Sequence, residues 1–240
     1  MGMKPVSLLL LALAAGSVKA EEPPASDSIP LPGGSLKINF LGHGTLMLDY
    51  KGWIIHVDPV SAEADYAALP PADLILVTHE HGDHLDPAAV ARISRPGTVI
   101  VANPASAEKL AGAVVLRNGE SRTVGSVKIE AVPAYNTSPG RDRFHPKGRD
   151  NGYLLTIDGR RLYIAGDTED TPEMKALKNV DIAFLPMNQP YTMTPEQVAK
   201  AARAFKPRLL YPYHYGDTDP ARLVALLEGK GVEVRVRSLR

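Results

Sequence analysis

Apolar and polar positions alternate over residues 35–41, 45–50 and 53–57, and a period of two predicts three strands, the last two joined by a tight hairpin at Lys51-Gly52. Residues 73–77 form a short, continuous apolar run, the pattern of a strand buried on both faces. Asp86-Pro87 then opens residues 88–93 as a helix, with an N-cap followed by proline at the first helical position. Further strands are expected at 98–102, 113–116 and 126–134, and a short helix at 106–111. A second hairpin pairs 152–157 with 161–165 through Asp158-Gly159, and 180–186 reads as another buried strand. Thr171-Pro172-Glu173 starts a short helix. Thr194-Pro195-Glu196-Gln197 is a capping box ahead of Val198, Ala201, Ala202 and Phe205, which form one apolar helix face. Strand 208–213, a helix from Asp219-Pro220 carrying Leu223, Val224 and Leu227, and strand 232–236 complete the chain. Two series of strands with covering helices fit an α/β architecture of two mixed sheets packed face to face, helices outside.

Composition bounds this picture. A chain of 240 residues, 44% hydrophobic, supports one sizeable domain, assigned here to 35–240. Residues 1–20 have the form of a cleavable signal peptide: Lys4, an apolar stretch from Val6 to Ala15, and the small-residue site Val18-Lys19-Ala20. The apolar run is too short for a stable membrane anchor, so a secreted or periplasmic protein is expected. Residues 21–34, with four prolines, read as a flexible leader. Loss of Lys4 and Lys19 from 27 basic groups leaves 25 against 27 acidic ones, a net of −2 that disfavours nucleic-acid binding. With no cysteine, neither a disulfide nor a thiolate ligand is available.

The chemistry concentrates in Thr78-His79-Glu80-His81-Gly82-Asp83-His84-Leu85-Asp86, between the strand at 73–77 and the helix at 88–93. Neutral imidazoles and carboxylates are natural ligands for zinc and similar cations, and a loop between two rigid elements is where reactive groups are commonly placed.

His79-x-His81-x-Asp83-His84 resembles the signature of the metallo-β-lactamase superfamily. Phe40-Leu41-Gly42-His43-Gly44, Asp58-Pro59, Gly166-Asp167-Thr168 and Pro212-Tyr213-His214-Tyr215-Gly216 agree with it in order. Over residues 36–238 the chain is most similar to the branch of ascorbate-phosphate lactonase-like and N-acyl phosphatidylethanolamine phospholipase D-like hydrolases. The resemblance implies a four-layer αββα sandwich and two divalent metal ions, zinc in the first place, with manganese or iron as alternatives. One ion would be held by His79, His81, Asp167 and His145, the other by Asp83, His84, Asp167 and His214, with Asp167 bridging. A metal-bridging hydroxide would attack the substrate, and Asp83 would orient it or shuttle its proton.

The chain departs from that pattern at Tyr135-Asn136-Thr137-Ser138, where the superfamily places its third metal histidine. His145, nine residues on, is the proposed replacement; the alternative gives Asn136 a weak ligand or substrate contact. Arg143, Lys147 and Arg149 in the same loop form a candidate anion-binding lid, with a solvated charged loop as the competing reading. His43, in a glycine turn, is either bonded to backbone or supports the ligands, and Asp58 is expected to orient a ligand histidine. His56, inside a strand, reads as structural. Absence of cysteine argues against a β-lactamase, and the preferred substrate is a small anionic ester, lactone or phosphodiester. The non-enzymatic alternative is an exported metal-binding or sensory protein on the same fold.

Overall fold

The computed structural model describes residues 25–239, together with Met1, and the signal-peptide segment lies outside the described residues. Among the described residues fourteen strands form two seven-stranded sheets. The first runs in sequence order through β1 (Ser26–Leu31), β2 (Gly34–Gly42), β3 (Thr45–Tyr50), β4 (Trp53–Val57), β5 (Leu74–Val77), β6 (Val99–Ala102) and β7 (Val114–Val115). The second contains β8 (Ser121–Val124), β9 (Val127–Ala134), β10 (Asp150–Ile157), β11 (Arg160–Ile164), β12 (Ile182–Pro186), β13 (Leu209–Tyr213) and β14 (Glu233–Val234). Each sheet makes three antiparallel pairings followed by three parallel ones. Both predicted hairpins turn through consecutive positive-φ residues, Lys51-Gly52 and Asp158-Gly159, as two-residue turns of this kind require.

Five helices among the described residues, α1 (Pro87–Ile93), α2 (Pro104–Ala107), α3 (Pro172–Lys175), α4 (Pro195–Phe205) and α5 (Pro220–Leu227), all begin with proline behind a capping side chain. In β5 the period of two separates the layers. Leu74 and Leu76 enter the core shared by the two sheets, whereas Ile75 and Val77 face Ala89, Val90 and Ile93 of α1. On the second sheet Tyr163 meets Phe205 of α4 edge to face at 6.1 Å. Helices therefore cover sheets that pack on each other, the αββα arrangement expected.

Two local expectations fail. Ser26–Leu31, placed in a flexible leader, is edge strand β1 in register with β2 from Ser26 opposite Asn39 to Leu31 opposite Gly34. Prolines at an edge cost no ladder bond, and Asp27 anchors the strand to residues late in the chain, which local composition does not show. Helix α2 starts two residues earlier than the predicted 106–111, because Asn103 caps it by accepting from the Ser106 amide at 3.0 Å.

Candidate metal centre

The site lies where loops leave the strand ends of both sheets. Asp58 follows β4, the His79–His84 loop follows β5, Asp167 follows β11 and His214 follows β13. His43 comes from the β2–β3 turn and His145 from the long β9–β10 connection. His43, Asp58 and His214 all have φ between 45° and 47°, a region few non-glycine residues occupy and one often found at functional sites. Gly44 is required by packing: a Cβ there would lie 2.7 Å from Cε1 of His84. Gly166 combines φ +63° with a backbone oxygen, that of Asn151, 2.7 Å from where a Cβ would stand.

Ligand-type atoms fall into overlapping groups, each within 4.8 Å: His79, His81 and His145; His43, Asp83, His84 and His214; and His79, His84 and Asp167. Asp167 sits between them. Its Oδ1 is 3.4 Å from Nε2 of His84, and its Oδ2 is 3.4, 3.3 and 4.0 Å from Nε2 of His145, His214 and His79. Asp83 reaches His43 at 3.4 Å and His214 at 3.6 Å. All seven residues assigned as metal ligands from sequence are thus brought together.

The neighbours of these groups set which nitrogen faces the centre. Asp58, fully buried, accepts from the Thr78 amide at 2.8 Å, from Thr78 Oγ1 at 2.7 Å and from His84 Nδ1 at 2.8 Å. Because the Thr78 hydroxyl spends its proton on Asp58, it accepts from Nδ1 of His79, 3.0 Å away. His145 Nδ1 donates to Asp150 at 3.0 Å. Each of these histidines therefore turns its Nε2 inward, the nitrogen a metal would take.

Burial pushes His79 well below the ordinary imidazole pKa, and the charges of His84, His145 and His81 push the same way. Burial lowers His81 too, with His145 and Arg149 adding to it. For His84 burial opposes charge, but Asp167 and Asp58 outweigh it and lift the imidazole to about 9 without metal. Burial likewise opposes ionisation of Asp83 and Asp167. Hydrogen bonds from His214 and His43 overcome it at Asp83, and the charges of His214, His84 and His145 do so at Asp167, so both stay below the usual carboxylate range. The centre favours anionic carboxylates, which suits a cation.

Asn136, the alternative to His145, keeps its Oδ1 buried without a hydrogen-bond partner and spends its N–H groups on the surrounding loops. Its amide nitrogen donates to the carbonyls of Tyr191 at 2.7 Å and Arg141 at 3.2 Å, and its backbone N–H donates to the His145 carbonyl at 2.9 Å. The position that lacks a histidine thus ties down the loop that supplies one. The basic residues of the candidate lid make contacts of their own. Lys147 pairs with Glu173 at 3.6 Å, and Arg149 holds Asp150 through Nε at 2.6 Å and Nη2 at 2.9 Å and Glu80 through Nη1 at 3.2 Å. Arg143 lies over the Phe144 ring, 4.7 Å from its centroid. His56 is structural, its Nε2 3.1 Å from the Pro70 carbonyl.

Asp150, Thr78 and Glu169 were not identified from sequence. Asp150 and Thr78 orient histidines, and buried Glu169 accepts from the amides of Thr137 and Ser138, pinning the start of the His145 loop. The only local signal was a run of polar residues at strand ends.

A cavity of about 340 Å³ opens onto the cluster, and Phe144, Asn188 and Tyr191 complete its lining. Larger hollows beside Ser61–Ala67 and around Arg160, Lys178 and Arg208 contain no histidine. Fold and site together define a class, the metal-dependent hydrolases built on two packed mixed sheets. The family pattern described as Beta-lactamase superfamily domain matches residues 37–214. A UPF0173 metal-dependent hydrolase of Thermococcus kodakarensis is 36% identical over 199 residues, spanning 77% of this chain and 87% of the relative. The chain belongs to the β-lactamase superfamily and is one of its metal-dependent hydrolases. A solved structure from Parabacteroides distasonis, described as a metal-dependent hydrolase, is 57% identical with a TM-score of 0.88, covering 90% of this chain and 99% of that one. A metallo hydrolase of Ignicoccus hospitalis shares the fold at 24% identity, with a TM-score of 0.71 over 85% of this chain and 95% of its own.

Proposed function

We propose that this chain is an exported dinuclear hydrolase that cleaves an ester, lactone or phosphodiester bond in a small molecule. The observation that carries the reading is a set of buried atoms without a hydrogen-bond partner: Nε2 of His79, His84 and His214, and Oδ1 of Asp167. Leaving such atoms unpaired costs about 1–3 kcal/mol each, a cost that divalent cations would remove. His79, His81 and His145 would hold one ion, Asp83, His84 and His214 the other, and Asp167 lies where both reach it.

Two bound cations would supply acidified water and a polarised substrate oxygen. The protein's part is positional. Asp58 fixes His84 directly and His79 through Thr78, and Asp150 fixes His145. Asp83, half exposed at the cavity wall, is placed to orient attacking water and take its proton. Export rests on the pattern of residues 1–20. Zinc is the preferred ion, because a His-rich set with two carboxylates suits it well.

The test is a hydrolysis screen of esters, lactones and phosphodiesters with protein purified without chelator. Turnover abolished by chelator and restored by zinc is expected; no turnover after reloading with zinc, manganese or iron would contradict the reading.

A further inference from the structure

We propose that the substrate is a neutral carboxylic ester or lactone bearing a flat apolar group, and that Phe144 and Tyr191 hold this group beside the reacting carbonyl. The proposal rests on the hydrolase reading above and narrows it. Phe144 and Tyr191 meet edge to face with centroids 5.0 Å apart and line the same cavity as His81, His145 and His214. Tyr191 is 45% exposed, one of few large hydrophobic side chains left open among the described residues. Two loops supply the pair, and Asn136 fixes both through Tyr191 O and His145 O. An aromatic pair lining the cavity that the ligand residues open into suits a flat apolar group.

Charge selects the bond class. A phosphodiester brings a negative charge and spreads it over oxygens that phosphoryl-transfer sites contact with lysine or arginine. Among the described residues no lysine or arginine lines this cavity, whereas Asp83 and Asp167 do. Of the nearby cations, Arg141 reaches Glu169, Lys147 reaches Glu173, Arg149 holds Asp150 with its Nη2 3.5 Å from His81 Nε2, and Arg143 lies over the Phe144 ring. Beyond the metals, no lysine or arginine among the described residues stands on the walls to compensate an anion, and a neutral carbonyl demands no such compensation. In the reaction water's oxygen bonds to the acyl carbon, the acyl carbon–oxygen bond breaks, and the leaving oxygen takes a proton. The products are an acid and an alcohol, joined in one molecule when the substrate is a lactone.

The experiment compares phenyl acetate, methyl acetate and bis(4-nitrophenyl) phosphate on zinc-loaded protein, with Phe144→Ala, Tyr191→Ala and the conservative Tyr191→Phe. Phenyl acetate should be the best of the three. Each alanine variant should raise its KM about tenfold and narrow its advantage over methyl acetate, while Tyr191→Phe keeps the wild-type KM and metal content is unchanged in all. Faster turnover of the phosphodiester, or KM values unmoved by both alanine variants, would overturn the proposal while leaving the hydrolase reading intact. Inertness toward all three substrates, and toward the broader screen, would overturn both.

Discussion

Asp58 and Asp167 occupy the same place in two sheets of the same plan, yet their surroundings are opposite. Each follows the strand at which antiparallel pairing gives way to parallel pairing, β4 in one sheet and β11 in the other. Asp58 is enclosed by donors, the Thr78 amide, Thr78 Oγ1 and His84 Nδ1. Asp167 faces imidazole nitrogens, and its Oδ1 has no hydrogen-bond partner. A carboxylate saturated by donors orients its neighbours; one left unsaturated among lone pairs is available to a cation. The same contrast extends to the halves. Around β5 four site residues share one short loop, whereas in the second half His145, Asp167 and His214 come from three separate connections.

The largest effect should follow from making the two aspartates alike. Asp167→Asn is expected to lower kcat by about 10³-fold, measured by steady-state hydrolysis, because it removes the carboxylate charge that lies within 3.3–4.0 Å of four histidines of the site. Asp58→Asn and Asp150→Asn should each weaken metal binding by about 10–100-fold in a chelator competition. Asp58→Asn should affect both ions, since it supports His84 and His79, while Asp150→Asn should affect only the one at His145. Arg149→Met leaves buried Asp150 without its bidentate partner and should cost about 2 kcal/mol in urea unfolding of the metal-free protein.

The smallest effect belongs to Asp27, far from the site. It accepts from Tyr211 at 2.5 Å and from Arg237 at 2.8–3.0 Å, tying β1 to the chain's end. Burial raises its pKa, but the Tyr211 and Arg237 hydrogen bonds prevail and hold it below the usual carboxylate value. A depressed acid stabilises the fold above its unfolded pKa, about 4, and that contribution is lost as pH falls through its folded pKa. Asp27→Asn should therefore cost about 1 kcal/mol near neutral pH, read by thermal unfolding, with the difference between the two proteins shrinking as pH falls through the folded pKa and metal content unaffected.

This contrast also explains what sequence could show. The His79–His84 loop is legible because its ligands, its strand and its helix cap are contiguous, and both hairpins announce themselves through Lys51-Gly52 and Asp158-Gly159. His145 was legible only as a substitute for what Asn136 is not. Asp150 and Thr78 look like ordinary polar residues until the fold sets them against His145 and Asp58. Strand β1 was hidden for the same reason, since Asp27's partner Arg237 is 210 residues away. Contacts that depend on register across a sheet, or on a loop folding back, leave no local pattern.

The most direct measurement counts metal ions per chain, by elemental analysis, in the wild-type protein, His145→Ala and Asn136→Ala, all purified without chelator. The account predicts about two ions for the wild type, about one for His145→Ala, and about two for Asn136→Ala, whose loop loosens while its ligands remain. Two ions retained by His145→Ala with one lost from Asn136→Ala would contradict it and make Asn136 the third ligand.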